Sequence, residues 1–380
     1  MLAALIVPVL ARFRHELGYI IALAGVGLSS VASIWALAYV LDNGTMRYNL
    51  GGWAPPIGIE YVVDLIAAFV AVIVTSVASL VIIGTRRWAD REAGDRLGSF
   101  YSLVMLLITG LVGMIVTGDL FNLFVFLEIS SLAGYALIFL GGGRAMLAGF
   151  RYLILGSVGG SLYMLGVGFL YFSTGTLNMG ETKEILTDEA TARSVQAGAA
   201  FIFVGLGLKM ALVPMHLWLP DAYTFAPSSV NTLIAPIMTK VGAYAMIRMF
   251  LSVFPDGYLK DIVPIADALL VLGLTGIIVG SVAAMSQKDI RRMLAYSSIS
   301  QLAVIAVGLG LGTPLGLVAA LLHIMNHAVM KSALFMAIAS VRFTSGITQV
   351  ADFAGTGRRM PFTMGAFTLG ALAMVGIPPA

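Results

Sequence analysis

The 380-residue chain contains no cysteine, which removes disulfides, thiolate metal sites and cysteine-ligated iron–sulfur clusters from its chemistry. Charge is nearly as scarce. Only 11% of residues are Asp, Glu, Lys or Arg, against about 25% in ordinary globular proteins. There is no GxxxxGK[ST] run and no GxGxxG opening a helix after a strand, so no nucleotide cradle is expected. Long polar segments are missing too, which leaves no room for a soluble catalytic domain. What the chain has instead is apolar residues, 59% of the total, and a mean hydropathy of +0.97. Such a composition places almost the whole chain in lipid.

A membrane-crossing helix needs about 20 mostly apolar residues. Runs of that kind, with one short one at the start, lie at 1–11, 17–41, 61–84, 98–117, 119–140, 149–173, 195–219, 229–251, 262–285, 291–311, 314–341 and 361–380. The expectation is an all-α polytopic protein forming one domain over 1–380, with about twelve spans. The first segment lacks the basic start of a secretory signal and reads as a retained helix. The last run stops at Gly376-Ile377-Pro378-Pro379-Ala380 with no basic anchor or polar tail, as a fragment of a longer protein would.

Loop charges separate when the loops are counted alternately. One side carries fourteen basic residues: Arg12, Arg14, Arg86, Arg87, Arg91, Arg96, Arg144, Arg151, Lys288, Arg291, Arg292, Arg342, Arg358 and Arg359. The other carries four, Arg47, Lys183, Arg193 and Lys260. The positive-inside rule makes the first side cytoplasmic and puts the N-terminus outside. It also explains the pI of about 9.1 without nucleic acid. The other basic residues, Lys209, Lys240, Arg248 and Lys331, fall within spans.

Charges inside spans are the strongest functional signal, because a charge at the bilayer centre costs roughly 2.5–3.5 kcal/mol on insertion scales. Glu128 lies nine residues into its span, about 13 Å deep. Lys209 precedes Pro214 by five residues. A proline frees helix carbonyls, and a broken helix at membrane depth suits a protein-lined or watery cavity. To snorkel, Lys209 would have to travel about 15 Å, beyond the reach of its stem. Lys240 is equally deep. Arg248, one turn from a span end, is expected to snorkel, and Asp64, Asp119 and Asp267 to cap or solvate helix ends.

His323, His327 and Lys331 follow one another at four-residue spacing, which sets them on one helix face in a ladder about 12 Å long. Three titratable groups on one stripe suit a proton relay. An i,i+4 histidine pair can also hold zinc, but the glutamate of an HExxH motif is absent: Ile324 and Met325 stand between the histidines and Asn326 precedes the second. No metal and no cofactor are therefore expected. His216, beside Pro214, is a further candidate for the same path. Desolvation and a nearby carboxylate act on a buried amine in opposite senses, each by a few kcal/mol. Moving Glu128 relative to Lys209 would then load or release a proton.

Several runs resemble one superfamily. They are Gly118-Asp119-Leu120-Phe121-Asn122-Leu123-Phe124-Val125-Phe126-Leu127-Glu128, then Lys209-Met210-Ala211-Leu212-Val213-Pro214-Met215-His216-Leu217-Trp218-Leu219-Pro220-Asp221-Ala222, then Thr239-Lys240-Val241, then Asp289 through Gln301, and His323 through Lys331. They are similar to the antiporter-like membrane subunits of Mrp-type cation/proton antiporters, membrane-bound hydrogenases and respiratory complex I. Gly51 through Ile59 and Gly141-Gly142-Gly143-Arg144 resemble the D-type branch of the antiporter subunits.

The resemblance implies a fourteen-helix fold with two inverted five-helix repeats, each holding a discontinuous helix. Here the repeats would be 98–251 and an incomplete 262–380. It implies that Glu128 and Lys209 form the charge pair of the first half-channel, that Lys240 bridges to the second, and that the histidine helix continues the path. The family's last lysine or glutamate would lie past the break at which this sequence stops. The implied function is monovalent cation (Na+ or K+)/proton antiport among other membrane subunits of a hetero-oligomer. The alternative is proton pumping as a non-redox subunit of an oxidoreductase. A non-transporting scaffold would gain nothing from the midplane charges.

Overall fold

The computed structural model describes residues 1–11, 15–189 and 192–377; Arg12 and Arg14 of the charge count, and Pro378-Pro379-Ala380 at the expected break, lie outside the described residues. The chain is helical almost throughout. Helices α1 (Leu2–Leu10), α2 (His15–Asn43), α3 (Leu65–Ala93), α4 (Leu97–Val116), α5 (Leu120–Phe139) and α6 (Gly143–Thr174) come first. A short α7 (Met179–Glu189) leads to α8 (Arg193–Lys209), α9 (Leu219–Phe225) and α10 (Ser228–Arg248). The chain continues with α11 (Ile265–Met285), α12 (Ile290–Gly310), α13 (Pro314–Ser345), the single turn α14 (Thr356–Arg359) and α15 (Pro361–Val375). Each of the twelve expected segments holds a helix. Among the described residues eight apolar runs are long enough to cross a membrane, one of them, 65–116, comprising both α3 and α4.

Helix starts follow local chemistry. Asp64 caps α3 by accepting from the Ala67 amide at 2.8 Å, and Asp119 caps α5 through the Asn122 amide at 2.6 Å. Asp289 caps α12 through the Arg291 and Arg292 amides, and Thr313 caps α13 ahead of Pro314. Helix α10 begins at a proline-flanked serine pair and is capped from outside. The Glu92 carboxylate at the end of α3 accepts from the Ser228 and Ser229 amides at 2.8 and 2.9 Å, placing negative charge at the positive end of the helix dipole.

One expectation needs correction here, and one break is where the sequence placed it. The segment at 61 does not start as a helix: Glu60–Val63 is a strand (β2) paired antiparallel with Met46–Asn49 (β1), Arg47 opposite Val62. Tyr61, Val62 and Val63 are good strand formers, and the Asp64 cap starts the helix only after them. The 195–219 run is broken, as its proline implied, with residues 210–218 outside any helix. Helix α8 stops at Lys209, Ala211 takes φ +59°, and α9 resumes at Leu219.

Helix α10 is the axis of the molecule. All 21 of its residues are buried, and α3, α4, α8, α12 and α13 pack around it. The periphery is reversed: Leu28, Val31 and Trp35 on α2 and Leu274, Ile278 and Val282 on α11 are exposed, as a lipid-facing surface requires. Helices α6 and α8 meet backbone to backbone, since a Cβ on Gly205 would lie 2.6 Å from the Gly159 carbonyl and one on Gly166 2.6 Å from that of Gly198.

The loop charges gather at two ends. At one, Arg151 and Arg292 grip Asp221 at 2.8 and 3.1 Å, Arg342 donates to Ser228, and Arg96 donates to the Leu140 carbonyl. At the other, the hairpin, the 117–119 turn, α7 and the 249–264 segment are knitted together. Tyr61 bridges Thr117, Asp119 bridges Asn178, and Lys183 pairs with Asp256 at 2.8 Å.

Candidate functional site

The centre of α5 presents Glu128, Ser131 and Tyr135 at i, i+3 and i+7, one stripe of a helix. The end of α8 lies against that stripe. Lys209 Nζ sits 3.5 Å from Glu128 Oε1, donates to Ser131 Oγ at 2.8 Å and reaches Tyr135 Oη at 3.4 Å. The contact with Glu128 is an ion pair rather than a hydrogen bond, since Oε1 is buried without a hydrogen-bond partner. The lysine side chain is 6% exposed and the carboxylate 24%, so the acid is the wetter member. Gly160 on α6 makes room for it: a Cβ there would collide with Oε1.

Aromatic rings support the break beyond Lys209. Tyr135 meets Tyr152 edge-on at 4.5 Å, Tyr152 stacks on Trp218 at 3.8 Å, and Trp218 Nε1 donates to the Leu208 carbonyl at 3.0 Å. Trp218 thereby ties the far end of the break to the last turn of α8, sharing a carbonyl that also accepts from the Ala211 amide at 3.1 Å. His216 lies buried in the same 210–218 segment with Nδ1 unpartnered. It shares no hydrogen bond or ion pair with Glu128, Lys209 or Lys240 among the described residues.

Lys240 is 1% exposed at the middle of α10. Its Nζ donates to the Ala235 carbonyl at 2.5 Å and lies 3.5 Å from Thr239 Oγ1. Pro236 interrupts the helix ladder just there. No carboxylate pairs with it among the described residues. Gly242 packs on the Lys209 backbone, where an added Cβ would lie 3.2 Å from the Lys209 carbonyl carbon, so the two lysine-bearing elements touch.

On α13 the ladder forms as its spacing predicts. The His323 and His327 rings lie near-parallel at 5.9 Å between centroids. His327 is fully buried, with neither ring nitrogen bonded to protein. Lys331 Nζ donates to Ser297 Oγ at 2.5 Å and to the Leu294 carbonyl at 3.0 Å on α12. Lys240, His327 and Lys331 lie within electrostatic reach of one another. His323 lines a cavity of about 790 Å³ with Gln301, Asn326 and Met374 between α12, α13 and α15. No group of three or more His, Asp and Glu side chains is placed to hold a metal among the described residues.

Residues 117–380 match the family described as NADH:quinone oxidoreductase/Mrp antiporter, transmembrane. The chain belongs to this family. It is a multi-pass membrane protein with the fold of the antiporter-like subunits, and D-type subunits of Mrp antiporters are among its homologues. The N-type subunit of the NADH-quinone oxidoreductase of Desulforudis audaxviator is 43% identical over 383 residues, covering 100% of this chain and 75% of that one. The D-type subunit of the Na(+)/H(+) antiporter of Alkalihalophilus pseudofirmus is 32% identical, covering 96% of this chain and 73% of the relative. Two solved complexes contain similar chains. One is an archaeal membrane-bound sulfane sulfur reductase, with TM-score 0.90, 34% identity, and coverage of 99% of this chain and 76% of that one. The other is the Mrp complex of a Dietzia species, with TM-score 0.91, 26% identity, and coverage of 100% and 70%.

Sequence reasoning missed Ser131 and Tyr135, although their spacing from Glu128 was available. It also misread Arg248. Instead of snorkelling, Arg248 is 2% exposed and forms an ion pair with Asp64. The α3 cap brings a carboxylate to the end of α10, which offers the guanidinium a partner that lipid headgroups would otherwise supply.

Proposed function

We propose that this chain is the proton-translocating, D-type subunit of a multisubunit monovalent cation (Na+ or K+)/proton antiporter. It would work in the plasma membrane of a prokaryote among other membrane subunits, with its N-terminus outside. Glu128 and Lys209 load and release the proton, Lys240 passes it between half-channels, and His323, His327 and Lys331 carry it on, with His216 as a further participant at the break. The repeats 98–251 and 262–380 supply one half-channel each. The observation that carries the reading is the Glu128–Lys209 pair at 3.5 Å, enclosed between apolar helices beside a helix break. A buried charge pair adds little stability over apolar packing, so its retention there argues for use.

A second reading has an observation of its own. Identity of 43% across the whole chain to an N-type oxidoreductase subunit favours proton pumping driven by a redox partner. The two separate in membrane vesicles containing the assembled complex. Proton flux started by a Na+ or K+ gradient without an electron donor supports antiport, and flux that starts only with a donor supports the redox-driven pump. Full flux from a Glu128→Gln complex would overturn both.

A further inference from the structure

At the hairpin end of the molecule lies a cavity of about 230 Å³, lined by Arg47, Glu60, Asp64, Lys183, Arg248 and Ser252 among others. Most of its charges are fully engaged. Glu60 is held by Arg47 and by Asn178 Nδ2, and Lys183 by Asp256 and the Leu251 carbonyl. The Arg248–Asp64 pair differs. Its guanidinium is 3% exposed, its Nε has no protein acceptor, and its carboxylate is 30% exposed. A buried arginine thus meets a carboxylate that water can reach.

Arg248 also shares a face of α10 with the buried lysine, whose Nζ turns back to the Ala235 carbonyl. Lys240, Tyr244 and Arg248 succeed one another every four residues on α10, so Arg248 lies about 12 Å from Lys240 along the axis. The Arg248 guanidinium sits 5.8 Å above the Tyr244 ring, and Tyr244 Oη donates to the Ile115 carbonyl at 2.7 Å. Helix α10 therefore bears a stripe from the buried amine to the cavity.

We propose that this cavity is the port through which protons pass between the Lys240 region and the aqueous phase on the hairpin side, with Asp64 as its proton-accepting carboxylate and Arg248 as its gate. The inference rests on the proton-translocating reading above. Asp64 takes one proton from the medium and becomes a neutral acid, which releases the guanidinium. Giving that proton up, inward to the Lys240 amine in one direction or back to the medium in the other, restores the pair and shuts the port. Helix capping alone does not account for it, because an N-cap needs only the Asp64 oxygen that faces the Ala67 amide.

Two variants of the assembled complex, reconstituted in vesicles, test the port. Asp64→Asn keeps a capping oxygen, since asparagine caps as well as aspartate, and removes the ionisable group. Proton flux is expected to fall at least about tenfold with assembly unchanged. The absence of native cysteine in this chain makes Ser252→Cys informative even if Asp64→Asn fails to assemble. Modification by a charged, membrane-impermeant thiosulfonate from the hairpin side is expected to cut flux at least about fivefold. Tyr48→Cys, exposed outside the cavity, should label without loss. Wild-type flux in Asp64→Asn, or in fully labelled Ser252→Cys, while Glu128→Gln is inactive, overturns the port and leaves the proton reading standing. Full flux in Glu128→Gln overturns the reading itself.

Discussion

Lys209 and Lys240 are enclosed amines on touching elements, yet their surroundings differ in kind. Lys209 has a carboxylate at 3.5 Å, a hydroxyl at 2.8 Å and a half-wet partner acid. Lys240 has a carbonyl at 2.5 Å and, within electrostatic reach, the basic groups His323, His327 and Lys331. The first site is neutral as a pair, so a proton can rest there. The second has basic groups nearby and no paired carboxylate among the described residues, so each added proton raises the cost of the next. Under the proposed proton path, storage beside Glu128 and onward displacement near Lys240 are different tasks, and the two environments suit them respectively.

The sharpest way to break the comparison is to neutralise each lysine's site separately. Glu128→Gln and Lys240→Met should both lower proton flux at least about a hundredfold in vesicles, but their stabilities should move in opposite directions. Glu128→Gln leaves Lys209 buried and unpaired, which costs about 3 kcal/mol, the low end for such a loss because the carboxylate is partly exposed. Lys240→Met removes an amine that has no counter-ion, so the thermal midpoint of the purified complex should hold or rise. A Glu128→Gln/Lys209→Met double variant should recover the lost stability and stay inactive. Equal destabilisation by Glu128→Gln and Lys240→Met would show that the two lysines are held alike.

Space around the acid gives a milder perturbation. Gly160→Ala puts a methyl group into the volume taken by Glu128 Oε1, so the carboxylate must turn away from Lys209. Overpacking of this kind costs about 1–3 kcal/mol, and flux should fall several-fold. The same change at Gly168, which has nothing within 4 Å, should leave flux untouched. Removing the hydroxyl with Ser131→Ala should cost about 1.5–3 kcal/mol, the range for a hydrogen bond to a charged group, and slow flux less than Gly160→Ala does.

These perturbations also mark what the sequence could and could not disclose. Glu128, Lys209, Lys240 and the α13 ladder were legible because a charge in an apolar run stands out against its own neighbours. The sorting of loops to two ends was legible for the same reason. Gly160, Arg248–Asp64 and the Ser297 partner of Lys331 were not, since each depends on the rotation of one helix against another, which no local pattern records. The β1–β2 hairpin was hidden because Tyr61-Val62-Val63 is as apolar as the start of a span. Only the Asp64 cap distinguishes the two.

The smallest expected effect lies at the break that separates the two lysines' helices. Ala211 occupies φ +59°, a region that side chains enter at a cost of order 1–3 kcal/mol and that glycine enters freely. Ala211→Gly relieves that strain but adds freedom to the unfolded chain, so its stability should stay within about 1 kcal/mol of the parent. Ala211→Val adds a β-branched residue that this backbone tolerates poorly, and its thermal midpoint should drop. Flux separates two roles for the turn. If the turn only ends α8, both variants should transport in proportion to the folded complex. If it sets the height of Lys209 against Glu128, Ala211→Val should lose more flux than folded protein, and Ala211→Gly should lose neither.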